Sequence, residues 1–172
     1  MSVSAATGHV ILSHGMESGP NATKVSRLAA IAESAGWSSE RPDYSTLRSA
    51  EARIALLTER CALAGGRPLV LVGSSMGAYI SAMVSLKLSL RGLFLLAPPV
   101  AMPNATTFDL CCEHSMIVHG WDDELIPAAL VTAFAQVRAL PLLMVQDDHR
   151  LSRSVDLIAA TFQLFLQHCE GS

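Results

Sequence analysis

The sequence predicts an α/β fold, a three-layer sandwich in which helices cover both faces of a mostly parallel sheet. Three observations lead there. Short runs rich in Val, Leu and Ile recur along the chain, at 9–13, 68–72, 92–97 and 142–146. Strands of such continuous apolar character are buried on both faces, which is the mark of a parallel sheet. Segments with apolar residues at helical spacing lie between them, so strand and helix alternate from end to end. With 51% hydrophobic and 16% charged residues, the chain can bury a sizeable core and lacks the composition of a disordered protein.

Each element has its own warrant. The first strand is read at 9–13. The first helix, 21–36, carries Val25, Leu28, Ala29, Ile31 and Ala32 at helical spacing and stops at Gly36. A short polar strand at 39–44 is expected near a sheet edge. The second helix, 46–64, has a stripe of Leu47, Ile54, Leu57 and Cys61 and ends at Gly65-Gly66. A third strand at 67–72 leads into a helix at 76–88, and a fourth strand at 92–97 is stopped by Pro98-Pro99. Residues 100–114 form a long polar connection, either a short flap or a surface loop. The fifth strand is 115–119, followed by a helix at 128–140, a sixth strand at 142–146 and a closing helix at 152–168. Right-handed crossovers place every strand's carboxyl end on one edge of the sheet, where sites in open α/β sheets collect. At 172 residues and without internal repeats, the chain 1–172 is read as one domain.

Bulk properties narrow the function. A formal charge of −3 gives no electrostatic reason to expect nucleic acid or an anionic membrane as partner. The amino-terminal residues lack a basic region followed by an apolar segment, so no secretory signal is read. No apolar run approaches the ~20 residues that span a bilayer. The four cysteines, Cys61, Cys111, Cys112 and Cys169, match neither a zinc site nor a redox C-x-x-C pair, and are read as reduced thiols of a cytoplasmic protein. Oligomeric state is not legible.

Chemistry enters at Gly73-Ser74-Ser75-Met76-Gly77, a G-x-S-x-G run between a strand and a helix. Such a turn is a nucleophile elbow: it is so tight that the residues two before and two after the serine must lack bulk. Ser75 is then held out at the carboxyl edge with its hydroxyl exposed. A serine hydroxyl needs a base to take its proton, a group to orient the base, and donors for the oxyanion. Of the six histidines, His9 and His114 fall at the opposite edge and His168 ends the last helix. His149 directly follows the sixth strand, on the correct edge and last in chain order, and is the expected base. The segment after the fifth strand, His119-Gly120-Trp121-Asp122-Asp123-Glu124-Leu125-Ile126-Pro127, offers three acids. Ser, then an acid, then His is one of the known chain orders for this geometry. The backbone amide of Met76, at the start of the elbow helix, is one expected oxyanion donor. The amide of Met16, beside Gly15 in the loop after the first strand, is assigned as the second.

In order along the chain, His14-Gly15, Gly73-x-Ser75-x-Gly77, Gly120-x-x-Asp123-x-x-Ile126-Pro127 and Asp148-His149 resemble the small, lid-less bacterial α/β-hydrolases. The match runs from 14 to 149 and selects Asp123 among the three acids. The resemblance implies a Ser75–Asp123–His149 triad that hydrolyses a small-molecule acyl substrate through an acyl-enzyme, without metal or organic cofactor. A small carboxylic ester is the first choice; thioesters and small amides use the same machinery, and a non-catalytic or regulatory binding protein on the same scaffold is the alternative. The chain is too short for the two extra strands that usually open the fold, so six parallel strands in the order 2-1-3-4-5-6 are expected, with no cap domain and an open pocket. Five acids near the site, Glu17, Asp122, Glu124, Asp147 and Asp148, with Arg150 the one base nearby in sequence, read either as solvated loop charges or as an edge that disfavours anionic substrates.

Overall fold

In the computed structural model, which describes residues 6–101 and 107–171, strands and helices alternate. They are β1 His9–Ser13, α1 Thr23–Ser34, β2 Ser38–Glu40, α2 Ala50–Leu63, β3 Leu69–Ser74, α3 Met76–Ser85, β4 Gly92–Leu96, β5 Ser115–Gly120, α4 Ala128–Val137, β6 Leu142–Val145 and α5 Val155–Glu170. All strand pairs are parallel, and the order β2-β1-β3-β4-β5-β6 is the expected one.

The two-residue period of the strands divides the core in two. Val10 and Leu12 of β1, Val70 and Val72 of β3, and Phe94 and Leu96 of β4 face α1 and α5, where Leu28, Ile158 and Phe162 meet them. Their alternates Ile11, Leu71, Leu93 and Leu95 face the other layer and pack on Leu57, Ile80 and Val131 of α2, α3 and α4. Every one of these side chains is essentially removed from water. At about 25 cal/mol per Å² of apolar surface, each fully buried Leu, Ile, Val or Phe contributes roughly 1.5–3 kcal/mol. Among the described residues there is no cap over the carboxyl edge, and no helix is long and apolar enough to cross a membrane.

Several boundaries differ from the sequence expectations, each for a local reason. β2 covers 38–40 rather than 39–44. Pro42 cannot donate to a ladder, and Tyr44 turns inward, fully buried, where its amide donates to His14 Nε2 at 2.9 Å. α2 starts at Ala50 rather than at 46 because Ser49 caps it, its Oγ accepting from the Ala52 amide at 3.1 Å. β3 runs on to Ser74, paired with Leu96, so the elbow is a single residue. α3 ends at Ser85, whose buried hydroxyl donates to Ala82 O and accepts from the Cys111 amide. Of the 100–114 connection, residues 102–106 lie outside the described residues, and so does part of any flap. Its later part is anchored by Phe108, buried between the rings of Tyr79 and Phe134.

Candidate active site

Ser75 joins β3 to α3 with φ 54° and ψ −115°, a left-handed conformation for a residue with a side chain. Such a residue costs about 1–3 kcal/mol and persists only where its surroundings over-determine it. Here the Ser75 amide donates to Leu96 O at 2.9 Å, and its carbonyl accepts from the amides of Ala78 and Tyr79. Glycine is required on either side. A Cβ on Gly73 would overlap the Gly77 carbonyl, and one on Gly77 would overlap the Ser13 carbonyl of β1.

The loop after β6 brings His149 to this serine. Ser75 Oγ lies 2.9 Å from His149 Nε2, and His149 Nδ1 lies 2.7 Å from Asp123 Oδ2. With Nδ1–H donating to the carboxylate, Nε2 is left to accept from the serine hydroxyl. Asp123 is buried, and its other oxygen accepts the amides of Leu125 (2.9 Å) and Ile126 (2.8 Å). Asp122, the adjacent acid, is exposed and takes no part; it accepts from Gln146 Nε2. A buried carboxylate with three donors on it holds its position and its partner's tautomer.

The two amides expected to bind an oxyanion belong to Met76, directly after Ser75, and to Met16, directly after Gly15. Met76 is the first residue of α3, and Ser75 is its N-cap. Gly15 lies against the serine: a Cβ on it would sit 3.6 Å from Ser75 Cβ. Among the described residues neither amide is engaged by a hydrogen-bond acceptor.

The contacts by which several further residues shape the site are not evident from the motifs. His119, at the end of β5, is fully buried, donates from Nε2 to Ile126 O at 2.9 Å and lies 3.6 Å from Asp123 Oδ2, so it braces the turn that holds the acid. Burial holds its pKa below the ordinary histidine value. His14 is buried behind the loop after β1, its Nδ1 donating to Gly15 O at 2.8 Å. Arg53, on α2, is 1% exposed. It falls in register with Leu57 and Cys61, a charge on an apolar stripe, which is the one sequence signal that it is special.

Of the five acids read around the site, Glu17, Asp122, Glu124 and Asp148 are exposed, and one is not. Asp147 is buried and organises the His149 loop, accepting from the amides of Asp148 and Ser154 and from Arg153 Nε. Burial pushes its pKa up, but these donors outweigh it and hold the carboxyl below its ordinary value. Arg153 also lies 3.8 Å from Asp122. Lys24, in the first turn of α1, stands in the field of Asp147, Asp148 and Asp123, and burial brings its ammonium down to about 8 in spite of them. The edge thus carries cations that sequence proximity to His149 does not reveal. A separate cavity of about 870 Å³, lined by Arg67, Leu69, Arg91 and His114 among others, opens at the opposite edge, away from Ser75.

A parallel sheet with a strained serine between β3 and α3 is the architecture of the α/β hydrolases. The comparisons agree. A protein from Xanthomonas campestris pv. campestris assigned to the alpha/beta superfamily of hydrolases is 45% identical, with a TM-score of 0.89, over 94% of this chain and 99% of its own. The chain belongs to the α/β-hydrolase superfamily. Two more distant structures share the fold. Est1E from Butyrivibrio proteoclasticus has 15% identity and a TM-score of 0.79, over 98% of this chain and 90% of its own. A lid-less α/β serine hydrolase from Xanthomonas campestris has 16% identity and a TM-score of 0.75, over 97% of this chain and 85% of its own. No protein-family model and no curated protein sequence matches the chain.

Proposed function

We propose that this protein is a serine hydrolase that transfers the acyl group of a small carboxylic ester to water. The observation that carries the reading is the continuous relay from Ser75 Oγ through His149 to Asp123, at 2.9 and 2.7 Å. Ser75 attacks the ester carbonyl while His149 Nε2 takes its proton. Asp123 orients the imidazole and stabilises the imidazolium that forms. The amides of Met16 and Met76 receive the tetrahedral oxyanion, each such donor being worth about 3 kcal/mol. His149 then protonates the departing alcohol, and water, activated by the same base, releases the acid and restores Ser75.

Small acyl groups fit a site without a cap, since no described element supplies a long apolar wall above Ser75. Thioesters and amides would use the same residues. A cytoplasmic setting accords with four cysteines that are all free thiols. The test is turnover of p-nitrophenyl acetate and butyrate beside a matched thioester and anilide. Fastest hydrolysis of acetate and loss of rate with chain length are expected; preference for the thioester or for longer chains would reassign the substrate. No turnover of any of them, with no labelling of Ser75 by a serine-directed reagent, would leave a binding protein on a hydrolase scaffold.

A further inference from the structure

We infer that Arg53 is a positioning residue for the oxyanion-binding amide of Met16, an inference that rests on the hydrolase reading above. Arg53 is 1% exposed, yet among the described residues no carboxylate pairs with it. Its guanidinium is satisfied by three backbone carbonyls, donating from Nε to Leu47 O at 2.9 Å, from Nη1 to Gly15 O at 3.3 Å and from Nη2 to Tyr44 O at 3.3 Å. Its carbon centre lies 5.6 Å from the centre of the Tyr44 ring. A buried, unneutralised cation is costly, and a leucine or methionine on this apolar stripe would fill the space without that cost. A role beyond packing accounts for it.

The geometry points to that role. The Gly15 carbonyl is gripped from two sides, by Arg53 Nη1 and by His14 Nδ1 at 2.8 Å. His14 can donate there because its Nε2 already accepts the Tyr44 amide at 2.9 Å, which fixes the tautomer. The described peptide bonds are all trans. In a trans peptide the N–H points opposite to the carbonyl. Holding Gly15 O toward Arg53 and His14 therefore turns the Met16 N–H away from them, and Gly15 itself lies against Ser75. The cation also polarises the peptide it grips, which strengthens the N–H at the far end. Arg53 thus preorganises a donor for negative charge that develops only in the transition state, with its own positive charge one peptide group behind.

The test compares wild type, Arg53→Lys and Arg53→Met, each checked for folding by circular dichroism. The readouts are kcat and KM for p-nitrophenyl acetate and inhibition by a trifluoromethyl ketone that forms a tetrahedral adduct. Arg53→Met is expected to lose roughly 10–100-fold in kcat and a similar factor in ketone affinity, with KM within about threefold, because a mis-aimed donor forfeits part of the 100–1,000-fold that one donor supplies. Arg53→Lys, which keeps the charge and one donor, is expected to recover part of both losses. If Arg53→Met does not fold, Arg53→Lys alone decides, with an intermediate loss in kcat and ketone affinity expected. Folded variants with kcat and ketone affinity within about twofold of wild type would overturn the role, as would a loss confined to KM. A wild type that neither turns over ester nor labels at Ser75 would remove the hydrolase reading, and this inference with it.

Discussion

Asp123→Asn changes a single group at the back of the relay, and its cost can be worked from the contacts. Asp123 Oδ1 accepts two backbone amides and Oδ2 accepts His149 Nδ1–H. An asparagine that keeps its oxygen toward Leu125 and Ile126 turns its NH2 on His149 Nδ1. Two donors then face each other, and the imidazole escapes by moving its proton to Nε2. That nitrogen now presents N–H to Ser75 Oγ, 2.9 Å away, and can no longer act as base. The flipped amide would instead set NH2 against the two backbone donors. Either way the base is lost in its working tautomer, which in other serine hydrolases costs about 10,000-fold in kcat, or about 5.4 kcal/mol of barrier. The assay is kcat for p-nitrophenyl acetate with Asp122→Asn alongside, for which a change within about threefold is expected because that carboxylate only caps Gln146 and faces Arg153. An Asp123→Asn enzyme that keeps more than a tenth of the activity, or a larger loss in Asp122→Asn, would refute this assignment of the acid.

Other expectations test the scaffold. Gly77→Ala drives a methyl into the Ser13 carbonyl and to 2.9 Å from His14 O, both main-chain atoms of β1 and its loop, and a loss of about 3 kcal/mol or more is expected in urea unfolding; an unchanged midpoint would contradict the elbow packing. His9, His14 and His119 each have a pKa lowered by burial, so the unfolded chain binds protons more firmly at these sites. Stability is therefore expected to fall as pH drops below the ordinary histidine value of about 6.5, by up to about 4 kcal/mol per pH unit for three protons; a flat melting temperature between pH 7 and 5 would count against it. Lys24 has the opposite limb. Held at about 8, it binds its proton less firmly folded than unfolded, so the folded state is penalised in full below that pH and the penalty fades up to about 10.5. Lys24→Met is expected to stabilise the protein by about 1–2 kcal/mol at pH 7, allowing for solvent screening, and to flatten the alkaline rise. Equal stability of the two at pH 7 would exclude the buried charge.

The parallel sheet was legible because the strands are apolar on both faces, whereas the strand order needed the family resemblance. Ser75 was legible because sterics at the elbow admit only glycine at 73 and 77, and those sterics are local in sequence. His149 was legible by its place after β6. Asp123 needed the family resemblance, since its neighbours Asp122 and Glu124 have the same chemistry and differ only in which way the turn aims them. Residues acting through tertiary contact were the least legible. Arg53 is 38 residues from the Gly15 carbonyl it grips, and Lys24 and Arg153 come to the rim on separate helices or loops. Likewise Asp147 reads as a surface acid in sequence and is buried in the fold, because the loop wraps around it. The strand read at 39–44 stopped short at Pro42, where the missing N–H outweighed the local pattern.

Intact-mass analysis after treatment with a fluorophosphonate asks the decisive question, whether Ser75 Oγ is a nucleophile. With His149 Nε2 at 2.9 Å, a single adduct that forms within minutes at neutral pH and maps to Ser75 is expected, and none in Ser75→Ala. An unmodified wild type, or equal labelling of Ser75→Ala, would contradict the proposed chemistry.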